Sequence, residues 1–185
     1  MRPLNAIGIV WIGWVVSWVL AALWTNPRVK RDQSREQRLV RLIIPIGAVL
    51  IALGSNGSDS LLGLPGWTCF AVMTGGLAFA WWGRAHLGRL WSATITRAQD
   101  HRLITSGPYA LVRHPIYTGV IVAIAATAIV ENRALALIGA AIIAFTFWYR
   151  AKLEERFLRQ ELGVEAYDDY ARHVPMLIPF WPRKG

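Results

Sequence analysis

The chain has 185 residues, 55% of them hydrophobic and only 17% charged, with ten tryptophans, one cysteine and a formal net charge of +9. That length suits one domain of ordinary size, and soluble domains run nearer a quarter charged. The composition therefore points to a membrane, and the lone Cys69 excludes an intramolecular disulfide or a cysteine-based metal cluster.

Five apolar segments follow in chain order. The first runs from Leu4 to Trp24. Arg2 followed by an apolar core has the look of a signal peptide, but the core is long, rich in tryptophan and without a small-x-small cleavage site, so an uncleaved span is expected. The second, Leu39 to Leu53, contains Pro45, which a membrane bundle tolerates. The third runs from Leu64 to Trp82 and holds Cys69, read as a small buried hydrophobe. The fourth, Pro115 to Val130, and the fifth, Ala134 to Tyr149, are separated only by "ENR" (131–133) and are expected to form a tight helical hairpin. A span needs about 20 apolar residues, so the ends of this hairpin extend into flanking sequence.

The basic residues sort by loop. All but Arg2 and Arg133 of the 20 Lys and Arg residues lie between spans one and two or at the start of span two, between three and four, or after five. The positive-inside rule then puts those loops and the C-terminus in the cytoplasm and the N-terminus outside. Topology and contact with anionic lipid heads explain the excess charge, and no nucleic-acid partner is expected. After the fifth segment, "RAKLEERFLRQEL" carries Leu153, Phe157, Leu158 and Leu162 at helical spacing, and Gly163 supplies a stop. In "AYDDYARHVPMLIPFWP" the prolines end any helix, and the apolar tail is expected to return to the membrane surface.

No G-x-G-x-x-G follows a strand and no Walker loop is present; G-x-S-x-G and H-E-x-x-H are also missing. A soluble nucleotide-binding domain is excluded. The four histidines lack metal-ligand spacing, so no metal is expected; His86 and His173 read as interfacial or structural.

Two constellations remain. In "GPYALVRHPIYTG" (107–119), Pro115 suits the first turn of a helix and disfavours helical geometry at His114. The chain arrives extended and turns into a helix there, with free N–H groups and a positive dipole end beside Arg113 and His114. Such a place suits a small polar or anionic group next to an apolar body. Equally, Arg113 and His114 could anchor the helix at lipid heads, with Tyr109 and Tyr117 in the aromatic belt. The second constellation is Arg150 with Glu154 and Glu155. Arg150 and Glu154 share a helix face, which suits a plain surface ion pair. If the hairpin is tight, however, they come close to His114 and Tyr117, and ionisable groups at membrane depth usually mark function.

The pattern "HRLITSGPYALVRHPIYTG", then a hairpin, then "RAKLEERFLRQELGVEAYDDYARHVPMLIP" resembles the isoprenylcysteine carboxyl methyltransferase family and the related phospholipid methyltransferases. These carry R-H-P-x-Y, a hairpin, and E-E-x-x-L followed by G-x-x-Y and V-P; "HLGRLWS" (86–92) also resembles the family's approach to this region. The resemblance covers about residues 83 to 180. One departure is that G-x-x-Y here has an extra residue, between Gly163 and Tyr167.

The resemblance implies a membrane enzyme, and with the segments and charges above the expectation is an all-α integral membrane protein with five spans and a cytoplasmic C-terminal helix. Three N-terminal helices occupy 1–82, and a cofactor-binding catalytic region occupies 83–185 within one structural domain. It would move a methyl group from S-adenosylmethionine, leaving S-adenosylhomocysteine. By position, Thr96, His101, Leu103, Ile104, Tyr109, His114, Pro115, Ile116, Tyr117 and Glu154 would line the cofactor pocket. Arg150 would bind substrate, and Arg150 with Glu154 would be catalytic. The expected acceptor is a lipophilic carboxylate held by Arg150 through a bidentate pair. A lipid amine or thiol is the alternative, with Glu154 or His114 as base. A catalytically silent scaffold or small transporter is the non-enzyme alternative. The expected setting is multi-pass in a bacterial inner or plasma membrane, with the site facing the cytoplasm. Membrane lipids are the expected surroundings, and no oligomer is predicted.

Overall fold

A computed structural model describes residues 2–23, 28–31, 35–54, 61–88, 96–98 and 103–180. The chain is helical: α1 (Pro3–Ala22), α2 (Arg35–Gly54), α3 (Gly63–Leu87), α4 (Pro115–Glu131), α5 (Ala134–Leu162) and α6 (Val164–His173), with a 3-10 turn at Gly107–Ala110. Two short strands, β1 (Arg28–Arg31) and β2 (Thr96–Ala98), pair antiparallel, Arg31 opposite Thr96, with an irregularity between Arg28 and Lys30. They tie the polar segment after α1 to the one after α3.

Three helices are long and apolar enough to cross a membrane among the described residues: Pro3–Ala21, Gly63–Leu87 and Ala134–Glu161. The expected second and fourth spans differ for identifiable reasons. Helix α2 continues through Pro45, but it opens on charged residues from Arg35 to Arg41, so its apolar run is short. Helix α4 has 17 residues, about 26 Å at 1.5 Å per residue, against a hydrocarbon core of about 30 Å. Helix α5 carries a correction to the expected break. It does not stop at Tyr149 but runs 29 residues to Leu162, about 43 Å. Leu153 and Phe157 continue the apolar stripe of Tyr149, all three packing on Val40 and Ile44 of α2. Gly163, at φ +95, ends it, and the separate C-terminal helix is α6.

The helices pack as α1 on α3, α3 on α4, α4 on α5 and α5 on α2. Two of these crossings are made by reciprocal glycines. A Cβ on Gly76 would lie 2.6 Å from Gly119 O, and a Cβ on Gly119 would run into Gly76 O in turn. Likewise, a Cβ on Gly139 would lie 2.6 Å from Gly47 O, and one on Gly47 2.9 Å from Gly139 O. Lipid tails are as apolar as leucine, so close backbone approach at small residues is how such helices associate.

The tryptophans of α1 do more than sit at an interface. Trp14 stacks on Trp18 at 4.5 Å, and Trp18 meets Trp81 edge-on at 5.5 Å. Trp11 Nε1 donates to Thr127 Oγ1 at 3.0 Å and Trp81 Nε1 to Ser17 Oγ at 3.0 Å. Arg84, expected in a polar loop, is on α3 and 1% exposed. Its guanidinium donates to Ala21 O at 2.6 Å and Gly88 O at 2.7 Å, capping the ends of α1 and α3. These bonds stack α1 on α3, and α3 in turn carries α4.

The hairpin forms as expected. Asn132, left-handed at φ 54, turns the chain, and a left-handed asparagine is a common helix terminator. The start of α4 therefore lies beside the C-terminal half of α5.

Candidate functional site

Pro115 opens α4 and His114 is its N-cap, at φ −126 and ψ 64. The first intrahelical bond is Thr118 N to His114 O at 3.0 Å. Four N–H positions precede it, and proline has none to offer. The expectation of free N–H groups here is met only in part. Arg113 N donates to Pro175 O at 2.9 Å and His114 N to Met176 O at 3.1 Å, so the C-terminal tail covers this edge. Among the described residues, the first-turn amides of Ile116 and Tyr117 have no backbone partner. Pro115 and Ile116 pack over Gly83 of α3, where a Cβ would come within 3.1 Å of both side chains.

One turn into α4, Tyr117 meets α5. Its hydroxyl donates to Glu154 Oε2 at 2.7 Å and accepts from Arg150 Nε at 2.9 Å. The expected direct pairing of Arg150 with Glu154 is thus bridged by a phenol from the other arm of the hairpin. The His114 ring lies parallel to Tyr117, centroids 5.4 Å apart and planes within 1°, with Nδ1 3.9 Å from Glu154 Oε2. Phe147 closes the far side of Tyr117 at 5.2 Å. His114 is buried, and the Glu154 side chain keeps 31% exposure. The arrangement is a cluster of a part-exposed carboxylate, a cation and two aromatic rings.

The neighbouring glutamate does something else. Glu155 is buried and accepts from Arg113 Nε at 2.7 Å, with His114 Nε2 at 3.3 Å. Arg113 also donates to Ala171 O at 3.0 Å and Val174 O at 2.6 Å. The alternative of Arg113 as a lipid-head anchor is thereby set aside, because its side chain is only 11% exposed and turned inward. The sequence offered Glu155 as one of an acidic pair and gave no sign of this role. The available signal was helical phase: consecutive residues point about 100° apart, so only one of two adjacent glutamates can face Tyr117.

Tyr109, buried on the 3-10 turn, is held through its carbonyl, which accepts from Tyr170 Oη at 2.6 Å. Tyr167, Tyr170 and Val174 form a small core with Leu103 packed against it. Burial pushes the phenols of Tyr109, Tyr167 and Tyr170 above their ordinary value, so all three remain proton donors. His86, read from sequence as interfacial or structural, contacts Ser106 Oγ at 2.9 Å and stacks toward Tyr109 at 6.4 Å. Gly107 is obligatory beneath it, at φ +60 and with the imidazole 2.7 Å from any Cβ there.

Of the expected site residues, His114, Tyr117, Arg150 and Glu154 come together directly. Pro115 and Ile116 complete the same helix start. Tyr109 and Leu103 sit behind it, joined to the tail, and Ile104 is half-buried in the same stretch. The backbone of Thr96 lies in β2; His101 lies outside the described residues. No group of three or more His, Cys, Asp or Glu side chains that could hold a metal is present among the described residues. On the other flank of the hairpin is a groove of about 1060 Å³. Ile121, Val122, Ala144 and Trp148 face it, and the tail from Pro175 to Pro179 forms its outer wall. It shares Arg113 with the cluster, but none of Tyr117, Arg150 and Glu154 lines it.

Residues 68–160, about half of the chain, match the family model described as the Isoprenylcysteine carboxyl methyltransferase (ICMT) family, and the chain belongs to that family. The matched span holds the R-H-P-x-Y and E-E elements and the hairpin between them. Protein-S-isoprenylcysteine O-methyltransferase B of Arabidopsis thaliana is 32% identical over 111 residues, 60% of this chain and 51% of that protein. The Nickel-cobalt-cadmium resistance protein NccN of Alcaligenes xylosoxydans xylosoxydans is 30% identical over 141 residues, 75% of this chain and 62% of that protein. Protein-S-isoprenylcysteine O-methyltransferase of Schizosaccharomyces pombe is 34% identical over 87 residues, 46% and 36% respectively. The aligned part of the chain thus spans between about a third and two thirds of these relatives, and about half of the first.

Proposed function

We propose that this chain is a membrane methyltransferase that uses S-adenosylmethionine and methylates the carboxylate of a lipophilic, isoprenylcysteine-like acceptor. The observation that carries the proposal is the contact of Tyr117 with both Arg150 and Glu154 across the hairpin. It joins the two family elements into one wall.

The residues fit the cofactor by their chemistry. Glu154 is a partly exposed carboxylate suited to a cationic ligand, and the parallel His114 and Tyr117 rings offer aromatic surface beside it. Ile116 and Tyr117 N–H groups at the helix start suit a carboxylate. Thr96, His101, Leu103, Ile104, Tyr109, Pro115 and Ile116 are assigned to the same pocket by the family pattern. When bound, S-adenosylmethionine supplies a methyl group on a positively charged sulfur. Arg150 presents a planar fork that matches a carboxylate bidentately and holds the acceptor in line. A carboxylate acceptor is already an anion, so positioning supplies most of the rate. The apolar walls exclude water and strengthen the pull of Glu154 on positive charge.

The membrane setting is part of the proposal: five spans, N-terminus outside and the site facing the cytoplasm of a bacterial inner or plasma membrane. The pairing of β1 with β2 supports placing both basic loops on one side. The ion pair between Arg156 and Glu36, at 3.1 Å, supports the same side for the end of α5 and the start of α2. Lipid amines or thiols are the alternative acceptors. A silent scaffold is the alternative to an enzyme. Titration calorimetry with S-adenosylhomocysteine separates these. Saturable binding that Glu154→Ala weakens supports the enzyme, and no binding by folded protein refutes the cofactor assignment.

A further inference from the structure

We infer that Arg113, Glu155 and the C-terminal tail form a positioning unit that fixes the orientation of His114 and, in its neutral form, its tautomer, turning Nδ1 toward Glu154. The inference rests on the methyltransferase reading only for what His114 then faces.

The tail is attached by polar bonds at its inner edge. Pro175 O and Met176 O take the N–H groups of Arg113 and His114. Leu177 O takes the hydroxyl of Thr118 at 2.6 Å. Ala171 O and Val174 O take the Arg113 guanidinium. Its outer side walls the groove rather than a packed core, so these bonds, together with Tyr170 on Tyr109, hold it in place. Arg113 is therefore a bolt through the tail, with its remaining face closed by Glu155.

Glu155 then acts on His114. A buried carboxylate accepts and does not donate. The nitrogen facing it, Nε2 at 3.3 Å, must carry the proton. In the neutral ring this leaves Nδ1 with a lone pair, on the side where Glu154 Oε2 stands at 3.9 Å. The backbone bond from His114 N to Met176 O and the parallel Tyr117 ring fix the plane. In that form the site has an oriented acceptor nitrogen next to an anionic oxygen. That suits a ligand ammonium or amino group, which donates several hydrogen bonds at once. Arg113 and Glu155 touch no ligand in this scheme, and both are positioning residues.

The test uses the whole purified chain, with ring-¹⁵N-labelled histidine and S-adenosylhomocysteine as the probe. His114→Gln assigns the resonance. The informative variant is Arg113→Met/Glu155→Leu, because exchanging both members of a buried ion pair for apolar residues often preserves stability. Where its ring is neutral, His114 of the native chain is expected as the Nε2–H tautomer, and an Nδ1–H tautomer overturns the proposal. In the double variant that preference is lost and affinity for the probe falls about tenfold or more, in protein that still unfolds cooperatively. Should the double variant not fold, Thr118→Val removes only the bond to Leu177 and is expected to weaken probe binding several-fold. Arg172→Ala, on an exposed pair with Asp169, is the control expected to change neither readout. A folded double variant with native tautomer and native affinity overturns the proposal, as does an unchanged affinity in Thr118→Val when that variant is the one used. A native chain that binds no probe refutes the cofactor reading instead, and the tautomer measurement then decides the positioning unit alone.

Discussion

Tyr117 and Glu154, 37 residues apart in the chain, are joined by a 2.7 Å hydrogen bond from phenol to carboxylate, and the phenol oxygen of Tyr117 accepts from Arg150 Nε. A hydrogen bond to a charged group contributes about 1.5–3 kcal/mol. Tyr117→Phe removes both bonds while keeping the ring against His114. S-adenosylhomocysteine affinity is expected to fall about tenfold or more, measured by calorimetry, with the fold retained.

Arg150 divides binding from turnover. Arg150→Ala is expected to leave S-adenosylhomocysteine affinity within a few-fold of native and to abolish methyl transfer. Arg150→Lys keeps the charge but not the planar fork, so it should recover only a small part of the rate. Steady-state kinetics beside calorimetry check both statements. A variant that kept native turnover would remove Arg150 from the acceptor site.

Much of this site was legible in the sequence because its elements are local. Proline after histidine marks a helix start, and the short "ENR" turn forces the arms of the hairpin together. That is enough to bring His114 and Tyr117 to Arg150 and Glu154. The tail was not legible, because its partners lie far off in sequence: Thr118 with Leu177, Arg113 with Val174 and Tyr109 with Tyr170. No periodicity encodes such pairs. Arg84 misled for a related reason. It reads as a loop cation, but a helix one turn longer carries it inward to carbonyls at two helix ends. The continuous α5 was readable in principle, since Leu153 and Phe157 stay in phase with Tyr149 and no proline or glycine intervenes before Gly163.

The glycine crossing of α3 and α4 sets how near the start of α4 comes to α3. Gly119→Leu would force the helices apart at Gly76 and Ala80. Overpacking of this kind costs about 1–3 kcal/mol. The expected outcome is a lowered thermal midpoint in detergent. Gly75 has nothing within 4 Å of its Cβ position, and Gly75→Ala is expected to leave the midpoint unchanged.

Alkaline pH should loosen the tail. Burial raises the Tyr167 and Tyr170 phenols above their ordinary value of 10.0. The unfolded chain therefore releases these protons first, and stability falls as pH rises beyond about 10. It is fully present below that value. The midpoint of the native chain, measured from pH 8 upward, should drop above about pH 10. Tyr170→Phe cannot ionise at this position, so its midpoint should start lower for want of the bond to Tyr109 and decline less steeply.

The most direct measurement is methyl transfer itself. Purified chain in vesicles is incubated with methyl-labelled S-adenosylmethionine and a farnesylcysteine-type acceptor. The products are then extracted, and the label is tested for release by mild alkali. Alkali-labile label in the lipid fraction, a methyl ester, is expected, and it should be absent with Arg150→Ala. Alkali-stable label on an amine or thiol would contradict the carboxylate assignment, and no label from folded protein that binds S-adenosylhomocysteine would contradict methylation of this acceptor.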